Sequence, residues 1–252
     1  MAGREERSIV NRPDSMSNAP MAQFSVLLLT AAPPGLPKDA AGGALLKVDG
    51  REAILKSSEL FLNRDNIKQI QLAFDKDEIE EGKRKYGGHL SFSGVKLVAA
   101  GPKWMEQISA GAEKLSESAT HVIIHDAARP AVSYGDIDCV MEAAAKHAIV
   151  ALTAPLRASL VELDEGHSQV AVHASNRYVQ LLTPQVFTRE KFLAMAKSKQ
   201  EPHASEMHLE KGTPLNVRVG GSGDATLVNQ MIRMLPKPKL KAPSSPFEEA
   251  QW

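Results

Sequence analysis

Residues 24–30 read FSVLLLT, an apolar run of strand length with no alternation. A strand covered on both faces has that pattern, whereas a half-exposed strand alternates apolar and polar residues. C-terminal to it, residues 51–64 (REAILKSSELFLNR) place Ile54, Leu55, Ser58, Phe61 and Leu62 on one helical face. Residues 67–74 alternate like a strand and 95–98 (VKLV) form another. Residues 102–115 read as a helix with Met105, Ile108, Ala112 and Leu115 inward. Residues 121–124 (HVII) are a strand that runs straight into the loop HDAARP. Asp136 is read as the N-cap of a helix whose Ile137, Val140, Met141, Ala144 and Ala145 share a face. A strand follows at 149–154. The pattern then changes: residues 160–163, a turn at 164–166 and residues 169–173 read as a hairpin. A strand at 179–182, a helix at 188–199, a strand at 215–219 and a helix at 226–235 complete the order. Strands alternating with helices imply an α/β fold: a Rossmann-like, doubly wound, mainly parallel sheet with helices on both faces. The hairpin is an arm protruding from that layout, at about residues 157–178.

Composition bounds what such a chain can do. In 252 residues, 30 Lys and Arg balance 30 Asp and Glu, and no basic block occurs, which argues against nucleic acid as a partner. One cysteine, Cys139, excludes a disulfide framework and a thiolate metal cluster. It sits on the apolar side of its helix and reads as a small core residue. No apolar run approaches the roughly 20 residues of a membrane helix, and residues 1–22 lack the apolar stretch of a secretory signal, so a cytoplasmic location and no membrane contact are expected. Residues 1–22 are polar and aperiodic, and residues 236–252 carry four prolines, so both are expected to be disordered or flexible ends. Between them, residues 23–235 form one domain.

The string His125-Asp126-Ala127-Ala128-Arg129-Pro130 after a buried strand resembles the signature of the 2-C-methyl-D-erythritol 4-phosphate cytidylyltransferase family. Other landmarks fall in that family's order: a first strand ending in Ala31-Ala32, the segment 46–51 (LKVDGR), a Gly101-led helix, Ala154-Pro155-Leu156-Arg157, the hairpin, and Thr183-Pro184-Gln185. The resemblance covers residues 24–235. It implies a fold of the nucleotide-diphospho-sugar transferase type. It also implies transfer of a cytidylyl group from CTP to a small sugar-alcohol phosphate in non-mevalonate isoprenoid biosynthesis, with Mg2+ as the divalent metal. Such chemistry asks for positioned anions and neutralised phosphate charge rather than covalent catalysis.

Carried over residue by residue, the resemblance assigns Lys38, Asp126 and Arg129 to catalysis. Ala31, Ala32, Gly35, Gly101, Gln107 and Asp126 fall to the nucleotide, Ser159, Arg157, Arg177 and Thr183 to the acceptor, and Asp126 to the metal. The chain also departs from the family. The family's phosphate loop reads Ala-Ala-Gly-x-Gly-x-Arg and ends at Pro-Lys. Here Pro33, Pro34 and Pro37 interrupt it, and they have no N–H to give. Lys38 either stands in for the missing arginine or is a solvated surface lysine. Trp104 takes an arginine's position, where it packs rather than stacks on a base, and Gln107 takes a serine's. The arm arginine falls at Ser175, with Arg177 two residues on and on the same strand face. The Asn-Ile-Lys-x-Thr segment is matched to residues 223–227, where no lysine remains. For Asp126 and Arg129 two readings stay open, a ligand site and an ion pair holding the turn. For Thr183 the structural reading leads.

Three functions therefore compete: an active cytidylyltransferase with fewer cations, an inactive relative that binds a ligand or partner, and a nucleotidyltransferase for another substrate. Family members dimerise through the hairpin arm. Leu160, Leu163, Val170 and Val172 give this arm apolar surface, so a homodimer is expected. His203 and His208 around Glu206 diverge by about 140° on a helix and read as a solvated face. No G-x-S-x-G nucleophile elbow occurs, and Gly220–Gly223 reads as a turn.

Overall fold

The computed structural model describes residues 22–36 and 42–235. Lys38, the ends at 1–21 and the tail at 236–252 lie outside the described residues. The chain runs β1 (Phe24–Leu29), the short pair β2 (Lys47–Val48) and β3 (Arg51–Glu52), α1 (Ala53–Glu59), β4 (Ile67–Asp75), α2 (Ile79–Phe92), β5 (Val95–Ala100) and α3 (Trp104–Glu113). It continues through β6 (His121–Asp126), α4 (Tyr134–Ala143), β7 (Ile149–Pro155), the arm strands β8 (Leu160–Leu163) and β9 (Gln169–His173), and β10 (Val179–Thr188). It ends with α5 (Arg189–Ser198), β11 (His208–Lys211) and α6 (Ser222–Met234).

Seven strands form one mixed sheet in the order β11-β7-β10-β6-β1-β4-β5. All neighbours are parallel except β10, which runs antiparallel to both β6 and β7. β1 is buried along its whole length, and its side chains alternate between two cores. Phe24, Val26 and Leu28 join Ile54 of α1, Leu90 of α2 and Val140 of α4 on one face. Leu27 and Leu29 join Ile108 of α3 and Phe192 of α5 on the other. The doubly wound α/β fold with its separate β8-β9 hairpin is what the strand pattern predicts. No helix among the described residues is long and apolar enough to cross a membrane.

Several elements differ from the sequence reading, each for a physical reason. The α4 N-cap is Ser133, whose Oγ accepts from Asp136 N at 3.0 Å. The Asp136 carboxylate instead takes the amide and hydroxyl of Thr213. Helix α2 has no counterpart in the reading because it buries only one residue per turn, Ile79, Gly82, Tyr86 and Leu90. β10 does not stop at Leu182 but runs through Pro184 to Thr188, with a register break between Leu182 and Gln185 that accommodates the missing N–H. The Thr183–Pro184 bond is cis. Residues 215–219 form no strand: Val219 N donates to Ala128 O, so this segment bonds to a loop rather than to a ladder. The edge strand in that region is the polar β11, paired with β7. Finally, α6 begins at Ser222, earlier than the periodicity indicates, with Asp224 Oδ2 accepting from Gly220 N and Gly221 N.

Candidate functional site

The order of the sheet places the site. From β1 the chain moves outward through β4 to β5 and then returns to the other side of β1 with β6, so the direction reverses between β1 and β6. Open α/β sheets bind ligands at such a reversal, outside the carboxyl ends of the strands. Leu29 and Asp126 are register partners there, and Ala127 N donates to Leu29 O at 2.9 Å. The loop after β1 and the turn after β6 therefore flank one crevice.

The β6 side is a buried polar cluster. Asp126 is fully buried. Its Oδ1 accepts from Ala128 N at 2.9 Å and its Oδ2 from Arg218 Nε at 2.8 Å. Arg129 Nε lies 3.6 Å from the same Oδ2. Burial pushes the Asp126 carboxyl above its ordinary value, while Arg218, Arg129 and the Ala128 amide pull it back. Burial likewise lowers the Arg129 guanidinium, against the opposing pull of Asp126. Around this pair runs a closed ring of hydrogen bonds. Arg129 Nη1 donates to Asn216 O at 2.9 Å, and Asn216 Nδ2 donates to Thr183 O at 2.6 Å. Thr183 Oγ1 lies 3.1 Å from His125 Nδ1, and His125 Nε2 lies 3.0 Å from Arg129 O. Burial drops the His125 pKa to about 3, so the imidazole is neutral. Its Nε2 must carry the proton to serve a carbonyl, which leaves Nδ1 to accept from the Thr183 hydroxyl. That hydroxyl in turn accepts from Asp126 N at 3.1 Å.

Beside the cluster opens a cleft of about 560 Å³ lined by Arg129, Arg157, Arg218, Gln180, Asn216 and Pro155, among others. Three guanidinium side chains from the β6 turn, the end of β7 and the segment before α6 thus share one concave surface, chemistry suited to a phosphate oxyanion.

The β1 side is arranged differently. Gln107 of α3 is buried, and its Oε1 accepts from Thr30 N at 2.9 Å and from Ala31 N at 3.1 Å. Trp104 is buried with Leu29, Ala31 and Ala73 in an apolar cluster, so it packs. At Gly101 a Cβ would stand 2.1 Å from Glu106 Oε2, which accepts from Lys103 N, so a larger residue there would displace that capping side chain. Ala32 and Gly35 lie on the loop beyond, Gly35 with a left-handed φ of 79°. None of these residues lines the 560 Å³ cleft.

The sequence profile of the family described as IspD: 2-C-methyl-D-erythritol 4-phosphate cytidylyltransferase matches residues 27–229. The chain belongs to that family. Among curated relatives, the 2-C-methyl-D-erythritol 4-phosphate cytidylyltransferase of Rhodopirellula baltica is 32% identical over 151 residues, 56% of this chain and 61% of the relative. That of Lachnospira eligens is 23% identical over 145 residues, 58% of this chain and 63% of the relative. The matches thus span about three fifths of these relatives' lengths. Solved structures show the same fold. 4-Diphosphocytidyl-2C-methyl-D-erythritol synthase from Anaerococcus prevotii superposes with a TM-score of 0.68 at 16% identity, over 84% of this chain and 96% of that one. The cytidylyltransferase from Thermus thermophilus gives 0.63 at 22% identity, over 82% and 98%.

Set against the IspD pattern, Arg218 is the residue that the sequence reading missed. The signal was present: Asn216-Val217-Arg218-Val219 differs from Asn-Ile-Lys-x by two conservative changes, Val for Ile and Arg for Lys. Arg218 Nε lies 2.8 Å from Asp126 Oδ2, whereas residues 223–227 lie in α6. The remaining acceptor candidates spread outward. Arg157 is exposed on the cleft, Ser159 is exposed at the root of the arm, and Thr183 is buried in the ring. Ser175–Arg177 is a 3-10 turn, so Ser175 and Arg177 do not share a strand face. Cys139 is half-buried, and burial and Glu210 raise its thiol pKa, which makes it a poor nucleophile. His203 caps a 3-10 turn and His208 stacks on His147 with ring centroids 3.7 Å apart. Among the described residues no group of three or more His, Cys, Asp or Glu can hold a metal ion. Asp126 is fully buried with its oxygens turned to Ala128 and Arg218, so among the described residues it is not open to a divalent ion.

Proposed function

We propose that this chain transfers a cytidylyl group from CTP to the phosphate of 2-C-methyl-D-erythritol 4-phosphate and releases pyrophosphate. The observation that carries this reading is the cleft shared by Arg129, Arg157 and Arg218 at the carboxyl ends of the strands. A phosphate seated there is held by the anchored Arg129 and Arg218 together with the exposed Arg157, and one of its oxygens attacks the α-phosphorus of a nucleotide in the β1 crevice as pyrophosphate leaves. Asp126 holds Arg129 and Arg218 in place, and the His125–Thr183 bond holds the turn beneath them. Ser159 and Arg177 serve the acceptor from the arm. Ala31, Ala32, Gly35, Gly101, Gln107 and Lys38 belong to the nucleotide side. Magnesium, expected from the family, would come with the nucleotide's phosphates rather than on Asp126, and every step above runs through the chain's own residues. The arm pairs with that of a second copy, making a homodimer. The catalytic unit is residues 23–235, in the cytoplasm.

The test is pyrophosphate release from CTP with magnesium, with and without the acceptor, beside calorimetric binding of the acceptor alone. Release that depends on the acceptor and is lost in Arg129→Ala supports the proposal. A second reading, binding of the acceptor without transfer, is favoured by the Thr30 and Ala31 amides already being taken. Acceptor binding with no release would select it, and absence of both would sink both readings.

A further inference from the structure

The first groups that a nucleotide would meet at the end of β1 are backbone amides, and the chain has already used them. Gln107 Oε1 accepts from Thr30 N and Ala31 N, and Gln107 Nε2 donates to Thr30 Oγ1 at 3.0 Å. The amide cannot be reversed, because its oxygen answers two N–H donors. The Thr30 hydroxyl donates its own proton to Ala73 O at 2.9 Å, so it accepts from Gln107. Gln107 is 1% exposed, and the apolar side of the same junction is filled by Trp104 and Ala31. Pro33 and Pro34 follow with no N–H at all. Across residues 30–34 the only amide left for a ligand is that of Ala32. In a phosphate- or base-binding loop these N–H groups approach the ligand directly.

We infer that Gln107 closes the nucleotide side: its side-chain amide occupies the donors at the end of β1 and keeps the nucleotide weakly held. The inference rests on the reading of this crevice as a nucleotide and phosphate site. The open cleft at Arg129, Arg157 and Arg218 is built from other elements, so the acceptor is unaffected by Gln107. The molecule therefore has one open half-site and one closed by its own side chain.

Two substitutions separate occupation from support. Gln107→Ser withdraws the acceptor from the Thr30 and Ala31 amides and opens space, whereas Gln107→Met withdraws it and keeps the space filled. CTP binding with magnesium, read by calorimetry, is expected to tighten about fivefold in Gln107→Ser, the factor for one net hydrogen bond, and not in Gln107→Met. CTP binding to Gln107→Ser alone, with none to the wild type, also supports the inference. Unchanged or weaker binding in Gln107→Ser, or no binding to any of the three proteins, overturns it. If Gln107→Ser does not fold, amide NMR of the wild type decides. The Thr30 and Ala31 resonances should stay in place as CTP is added, and their movement overturns the inference. Titration with 2-C-methyl-D-erythritol 4-phosphate runs in parallel. Its failure in the wild type removes the acceptor reading of the cleft and leaves the CTP comparison standing.

Discussion

At the scale of single residues, His125 and Arg218 define what holds the β6 turn. In the unfolded chain His125 titrates near 6.5, and in the fold burial holds it down to about 3. Between those values the unfolded state binds more protons. Stability fully present above pH 6.5 is therefore lost as pH falls toward 3. A shift of this size is worth on the order of several kcal/mol. Gln offers one acceptor and one donor in similar places, so His125→Gln should flatten the stability–pH slope over that window. Urea melts at a series of pH values read this directly, and a variant slope equal to the wild type's would rule out His125 as the cause. Arg218→Ala removes the closest cation from a fully buried carboxylate. Stranding that charge should cost about 3 kcal/mol of folding stability and weaken acceptor binding. A melt within about 0.5 kcal/mol of wild type, the range of ordinary surface substitutions, would mean that Arg129 alone suffices.

At the scale of elements, the chain's local signals and its tertiary pairings part company at identifiable places. The α4 start was visible, but two oxygens competed for the cap, and Asp136 was drawn away by Thr213. Ser133→Ala should therefore cost about 1 kcal/mol in thermal or urea unfolding, the usual worth of an N-cap. If Ser133→Ala is neutral, the capping hydrogen bond contributes nothing to stability. Gly43 shows the same dependence on partners distant in sequence. A Cβ there would stand 1.7 Å from Val219 O, so the β1 loop and the segment before α6 touch through backbone. Nothing within the loop announces this. β11 is four residues of mixed polarity that acquire strand geometry only by pairing with β7. Residues 215–219 have the better strand composition, yet Val219 N and Asn216 O are spent on the HDAARP turn while Asn216 N and Val217 N bond locally to Thr213 O and Leu215 O.

At the scale of the whole molecule, the arm is the feature that a single copy leaves unfinished. Val161, Leu163, Val170 and Val172 are all exposed, Val172 by 73%. Val161 and Val172 are cross-strand partners, so apolar side chains gather on one face of a two-stranded ribbon. Such a ribbon is at best marginally stable alone, and covering this face is what a second copy would provide. The wild type is expected to sediment as a dimer at micromolar concentration, and Val170→Lys with Val172→Lys as a monomer. A monomeric wild type would end the proposal. By itself the sequence determined the α/β class, the order of most central elements and the identity of the HDAARP turn. The reason is that burial on two faces and short polar turns are written in contiguous residues. Tertiary structure alone decided that Arg218 reaches Asp126 and that Gln107 turns to the β1 amides. It also decided that the open cleft and the closed crevice lie on different elements. Those contacts join residues about 76 to 92 positions apart, and hydrogen-bond partners at that separation are set by the packing of helices on the sheet rather than by any local pattern.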